Sequence, residues 1–81
     1  MINYRSKVLE ILKNSNGLLF SSLEEKFLRS LSESEKREYR FEKLFVAVYE
    51  LEEQGLIFKG KGGSYEKNKY YLRSNFPEAN I

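Results

Sequence analysis

The alternation of hydrophobic and polar positions predicts a helix at the start of the chain, from about Tyr4 to Asn14. Its apolar residues recur three or four positions apart and therefore share one face, opposite most of the charged residues. The pair Asn16-Gly17 ends the helix, because both residues tolerate the left-handed conformation of a helix C-terminus. Three apolar residues follow at positions 18–20. They predict a buried connector that is either a loop or a very short strand.

Two overlapping capping boxes predict where a second helix begins. Ser21 and Ser22 are each followed three positions later by a glutamate, the spacing at which both side chains can bond to N–H groups of the first turn. This helix is expected to end near Leu31. Another capping box begins at Ser32 and marks the next turn. Residues 33–40 are then either the polar start of a long third helix or a separate helical turn.

The clearest predicted element is the third helix, which is stopped by Gly55. Five of its apolar residues recur at helical spacing and form the predicted buried stripe: Phe41, Leu44, Phe45, Val48 and Leu51. The opposite face is predicted to carry Lys43, Val46, Ala47, Glu50 and Gln54. After Gly55, two short runs are typical of antiparallel strands, namely 56–58 and 70–72, joined by a glycine- and lysine-rich loop.

Composition limits the functions that the chain can have. It contains no cysteine and no histidine, which removes disulfides, thiolate metal sites and the commonest general base. No apolar run approaches the roughly 20 residues needed to cross a membrane. We therefore expect a cytoplasmic protein that is not an enzyme, has no cofactor or metal site, and does not associate with membranes.

Positive charge is concentrated toward the C-terminal part of the chain. The whole chain carries a net charge of only +2, but residues 56–73 hold five basic side chains and one acidic side chain. Residues 32–55 hold four basic and seven acidic side chains. A local basic excess suits contact with a phosphate backbone. It equally suits a lysine-rich sheet edge that discourages aggregation, so charge alone leaves both interpretations open.

The order helix, connector, helix, turn, helix, β-hairpin resembles the winged helix-turn-helix superfamily over about residues 4–73. The most specific segment is Tyr49–Ile57, YELEEQGLI, which looks like that family's passage from recognition helix to first wing strand. The resemblance implies an α+β fold, a three-helix winged helix-turn-helix with a C-terminal two-stranded β-hairpin, the wing. Residues 1–81 are then one domain with an irregular tail at 74–81.

The resemblance also implies that the third helix enters the major groove of double-stranded DNA, while the wing contacts the backbone or an adjacent groove. The implied contacts at the helix are Arg37, Arg40, Lys43, Val46 and Ala47. Those on the wing are Lys59, Lys61, Gly62, Gly63, Tyr65, Lys67 and Lys69. Cations would meet phosphates or a guanine edge, and small apolar side chains would meet a thymine methyl. A DNA-binding transcriptional regulator is the function expected from this resemblance.

Glutamates in the second half of the third helix keep another hypothesis open. Glu50, Glu52 and Glu53 would repel phosphates, so either only the N-terminal portion of the helix enters the groove or this face binds a protein. In the second case the domain is a protein-interaction module without DNA affinity, and Val46, Ala47 and Tyr49 lie in a dimer or partner interface. A homodimer is expected to use the first helix and the C-terminal tail.

Overall fold

The computed structural model describes residues 1–60 and 69–75. The described residues form an α+β fold with four α-helices and one three-stranded antiparallel sheet. In chain order the elements are α1 (Tyr4–Lys13), β1 (Leu18–Leu19), α2 (Phe20–Arg29), α3 (Glu33–Glu38), α4 (Phe41–Glu53), β2 (Ile57–Lys59), β3 (Lys69–Leu72) and a 3-10 turn (Arg73–Asn75).

The sheet places β3 in the middle, in the order β1-β3-β2. The predicted antiparallel pairing of the two C-terminal strands is confirmed, with Ile57 opposite Leu72. The connector at 18–20 supplies the third strand, because Leu18 pairs with Tyr70. The expected two-stranded hairpin is therefore extended by a strand from near the N-terminus. This pairing links the start of α2 to β3, the middle strand of the sheet.

One hydrophobic core lies between α1, α2, α4 and the sheet. Each helix contributes residues from one face, as the periodicity of the sequence predicts. The fully buried side chains are Val8 and Leu12 of α1, Leu23 and Phe27 of α2, Leu44 and Leu51 of α4, and Ile57 of β2. Tyr4 stacks on Phe27, with their ring centroids 5.3 Å apart. Ile2 is also buried, so the core begins before the predicted first helix.

The predicted start of the second helix is wrong. The helix begins at Phe20, its N-cap is Leu19, and neither Ser21 nor Ser22 caps it. The cause is the sheet, since pairing with β3 holds Leu19 extended and the chain turns directly into the helix. The serines then fall inside the first turn, where they cannot act as N-caps.

The segment after Ser32 is a separate short helix, so the prediction of three helices is corrected to four. The capping box is present, since the Glu35 N–H donates to Ser32 Oγ and the Ser32 N–H donates to the Glu35 carboxylate. The bond from the Ser32 N–H is the main cause that lowers the pKa of Glu35. Tyr39 and Arg40 have extended backbones and form a non-helical break between α3 and α4.

Packing of Tyr39 explains this break. Its ring lies 5.9 Å from Phe27 and 6.3 Å from Tyr4, and its hydroxyl donates to Glu24 at 2.8 Å. Burial first, and then this hydrogen bond, raise the pKa of Tyr39. The Arg40 N–H donates to the Tyr4 hydroxyl at 2.9 Å, which satisfies a backbone group at the start of α4.

The predicted third helix corresponds to α4, but its buried face differs from the prediction. Leu44, Val48 and Leu51 are buried as expected. The prediction that Ala47 faces outward is wrong, because only 3% of its surface is exposed. Phe41 and Phe45, predicted to be buried, are 47% and 55% exposed. The contact between α1 and α4 accounts for the difference, since it covers the Ala47 side of the helix.

Gly55 ends α4 as predicted. Its φ is +74°, and the Leu56 N–H donates to the Leu51 carbonyl while the Gly55 N–H donates to the Glu52 carbonyl, each at 3.0 Å. This pair of bonds is a Schellman motif, which satisfies carbonyls at the helix end and turns the chain sharply. The turn brings the chain directly into β2 beside the helix.

Candidate functional site

The outward surface of α4 is both apolar and acidic. Val46 and Tyr49 are 49% and 56% exposed, and they lie beside the half-exposed Phe41 and Phe45. Contiguous exposed apolar side chains of this kind mark contact surfaces more often than scattered ones do. The same helix carries four glutamates and a single lysine. The helix therefore offers apolar contact area but little attraction for phosphate.

The cations predicted to contact DNA at this helix lie at its N-terminal end. Arg37 is exposed in α3, Arg40 is exposed in the segment before α4, and Lys43 is exposed in the first turn of α4. Lys43 and Val46 line a groove of about 600 Å³ between the N-terminal segment and α4. Ala47 lines the same groove but contributes little surface.

Charges of both signs border this groove. Arg5, which sequence reasoning did not single out, lines it together with Lys43, and Glu42 and Glu50 lie along the same walls. The Arg5 guanidinium donates to the Gln54 side chain, which fixes it against α4. The groove is thus electrostatically mixed, with Lys43 in the first turn of α4 and Arg5 held at the opposite end of the helix by the C-cap residue Gln54.

A smaller cleft lies on the other flank of α4, between the helix and the sheet. We call it the aromatic cleft, and it has a volume of about 240 Å³. Its walls include the rings of Phe20, Phe45, Tyr49 and Tyr70, together with the side chains of Glu52 and Lys59. The Phe20 ring centroid lies 6.2 Å from that of Phe45 and 6.2 Å from that of Tyr70, with interplanar angles of 55° and 68°.

Electrostatic interactions inside the aromatic cleft involve both signs of charge. Burial first, and then the negative charge of Glu52, raise the pKa of Tyr70. A hydrogen bond to Glu53 is the main cause that raises the pKa of Tyr49. The Lys59 ammonium lies over the Tyr70 ring, with Nζ 5.9 Å from the centroid, which is within cation–π range.

Two of the predicted wing contacts lie within the described residues. Lys59 is exposed at the end of β2, and Lys69 is half-buried at the start of β3. The other predicted wing contacts, Lys61, Gly62, Gly63, Tyr65 and Lys67, lie outside the described residues. So does the tail from residue 76 onward, which was expected at a dimer surface. The described hairpin residues place one predicted cation, Lys59, directly beside α4.

Comparisons with protein-family models, with curated proteins and with solved structures find no match to this chain. Within residues 1–60 and 69–75, acidic side chains form no group of three or more that could hold a metal ion. No helix in the described part of the chain combines the length and the apolar composition that crossing a membrane requires.

Sequence reasoning did not find the aromatic cleft. Its residues come from α2, α4 and both strands of the hairpin, and are up to fifty positions apart in the chain. An exposed Phe45 would have indicated the cleft. Its exposure, however, depends on how α4 is rotated against the core. The pattern of the helix alone assigned this ring to the interior.

Proposed function

We propose that this protein is a winged helix-turn-helix DNA-binding module that acts as a transcriptional regulator. In the proposed complex, the N-terminal portion of α4 lies at the major groove, with Arg37, Arg40 and Lys43 contacting DNA. The hairpin acts as the wing, and its lysines contact the phosphate backbone. Only the N-terminal portion of α4 enters the groove, because the glutamates of its second half repel phosphates.

The order of elements supports the fold part of this proposal. A helix, a short strand, further helices and a C-terminal pair of strands follow one another, and β3 pairs with both other strands. The Schellman motif at Gly55 joins α4 to β2 through a turn of only three residues, 54–56. A helix and a hairpin connected in this way can contact neighbouring parts of one duplex.

A single observation carries the functional part, namely that an outward helix surface adjoins a basic hairpin. Lys59 of β2 lines the same cleft as Tyr49 and Glu52, so the hairpin adjoins the second half of α4. The hairpin segment, residues 56–73, carries five basic side chains against one acidic side chain. Basic side chains concentrated in one segment attract nucleic acid even when the net charge of the chain is small.

A mobility-shift titration with random-sequence duplex DNA tests the proposal. Log affinity should fall steeply with log salt between about 50 and 200 mM, each phosphate contact adding about 0.9 to the slope. Replacing Lys61, Lys67 and Lys69 by glutamate should abolish most of the binding. The matched control replaces Lys13, Lys26 and Lys36 by glutamate, which changes the net charge equally on α1, α2 and α3. Equal losses in both variants, or no loss in the first, would show that the hairpin is not the wing.

A second candidate function is supported by the exposed apolar residues of α4. Phe41, Phe45, Val46 and Tyr49 together form a surface better suited to a protein than to phosphates, and the neighbouring glutamates reinforce this. The domain would then be a protein-interaction module. The same titration separates the two candidates, because this one has no DNA affinity even at low salt. A stoichiometric protein complex lost on Val46→Glu or Tyr49→Glu would support it.

A further inference from the structure

We propose that the aromatic cleft is a binding site for an alkylammonium cation, with methylated ammonium groups as the preferred ligands. The cleft combines four aromatic rings with one carboxylate, that of Glu52. The faces of aromatic rings carry negative quadrupole density and attract cations that lose part of their water. This site differs from the proposed DNA-contact surface and overlaps it only at Lys59.

Three of the rings form one continuous aromatic wall of the cleft. Phe20 contacts Phe45 and Tyr70 at inclinations of 55° and 68°, with ring centroids 6.2 Å apart, so ring faces and edges are both presented along this wall. Tyr49 adds a wall from the next turn of α4 beyond Phe45. Several rings within reach of one cation give a stronger attraction than a single exposed ring provides.

The molecule already holds one ammonium group at this cleft. Lys59 Nζ lies over the Tyr70 ring at 5.9 Å. The Glu52 carboxylate contributes to raising the pKa of Tyr70, which reports negative potential beside that ring. The lysine is exposed and has a flexible stem, so an external cation can displace it. Lys59 is therefore an internal competitor for the proposed ligand.

The size of the cleft limits the ligand. About 240 Å³ is below the range of roughly 300–1,000 Å³ that is usual for drug-sized molecules, so the cleft suits one small group. The aromatic walls favour a methylated ammonium over a primary one, because a primary ammonium is strongly hydrated. A free quaternary amine and a methylated lysine side chain of a protein share this chemistry.

The test is a titration of the full chain, followed by amide chemical shifts in NMR. The probes are choline and, as the protein-borne source, a glycine-flanked trimethyllysine peptide. Their neutral control is 3,3-dimethylbutanol, which has the shape of choline without its charge. We expect saturable shifts at Phe45, Tyr49, Glu52 and Tyr70 with at least one cationic probe, and binding of the neutral control about tenfold weaker or absent. The probe that binds more tightly identifies the source.

Variants connect such binding to the cleft. Glu52→Gln should weaken it about fivefold or more, whereas Glu50→Gln, which removes the same charge from the other flank of α4, should leave it unchanged. Lys59→Met should strengthen it by removing the internal competitor. The proposal is overturned if neither cation gives saturable shifts or if the neutral control binds equally well. It is also overturned if the two glutamate variants behave alike.

Discussion

Within residues 1–60 and 69–75, two glycines adopt left-handed backbone conformations but lie in different surroundings. Gly55, at φ +74°, has open space where a Cβ would be, whereas Gly17, at φ +104°, lies against the buried Tyr71 ring. A Cβ at Gly17 would be 2.7 Å from Tyr71 Cζ, a separation that requires the ring or the backbone to move. Only Gly17 therefore combines a conformational requirement with a packing requirement.

Alanine at each glycine separates these two effects. We expect Gly55→Ala to lower the free energy of unfolding by about 1–2 kcal/mol, from backbone strain alone. Gly17→Ala should lower it by about 1–3 kcal/mol more, because overpacking against Tyr71 is added. Urea unfolding of the two variants measures the difference. Equal losses would mean that the Tyr71 ring moves aside without a cost in stability.

At the scale of secondary-structure elements, local sequence patterns predicted helix ends correctly where only nearby residues determine them. The capping box at Ser32 and the glycine stop at Gly55 depend on residues within one or two turns, and both are present as predicted. The boxes at Ser21 and Ser22 have the same local sequence form but are not used. Pairing of Leu19 with Lys69, fifty positions away, fixes the helix start instead. A contact between residues so far apart cannot be predicted from a local sequence pattern.

Serine-to-alanine substitutions test this difference between the capping boxes. Ser32→Ala should lower the free energy of unfolding by about 1 kcal/mol, because it removes the acceptor for the Glu35 N–H at the start of α3. Ser21→Ala is the matched control and should change it by less than about 0.5 kcal/mol, as usual for an exposed residue without a cap role. Chemical denaturation of both variants provides the measurement. A comparable loss at Ser21 would place the start of α2 at the serines.

At the scale of the whole molecule, the sequence predicted which residues belong to each helix better than how the helices face one another. The exposed cations Arg37, Arg40 and Lys43 were predictable because charged side chains avoid the interior. The aromatic cleft was not, because it depends on α4 being rotated by roughly 50° from the direction its apolar stripe indicates. The stripe includes more apolar residues than the core can cover.

The orientation of α4 can be tested by comparing how substitutions at buried and exposed positions change the free energy of unfolding. Phe27→Ala should lower the free energy of unfolding by about 3–5 kcal/mol, since the ring is fully buried and packs on Tyr4 and Tyr39. That is a large share of the roughly 5–15 kcal/mol typical of a domain. Phe45→Ala removes the same side chain from a half-exposed position. It should lower the free energy by no more than about 1 kcal/mol.

The comparison distinguishes two orientations of the same helix. If α4 faced the core along its full apolar stripe, Phe45 would be buried and its loss would approach that of Phe27, while Ala47 would be exposed. Ala47→Glu then supplies the complementary measurement. In the orientation described above, it puts an unpaired carboxylate into the contact between α1 and α4 and should unfold the domain. In the other orientation, the substitution is on the surface and leaves stability almost unchanged.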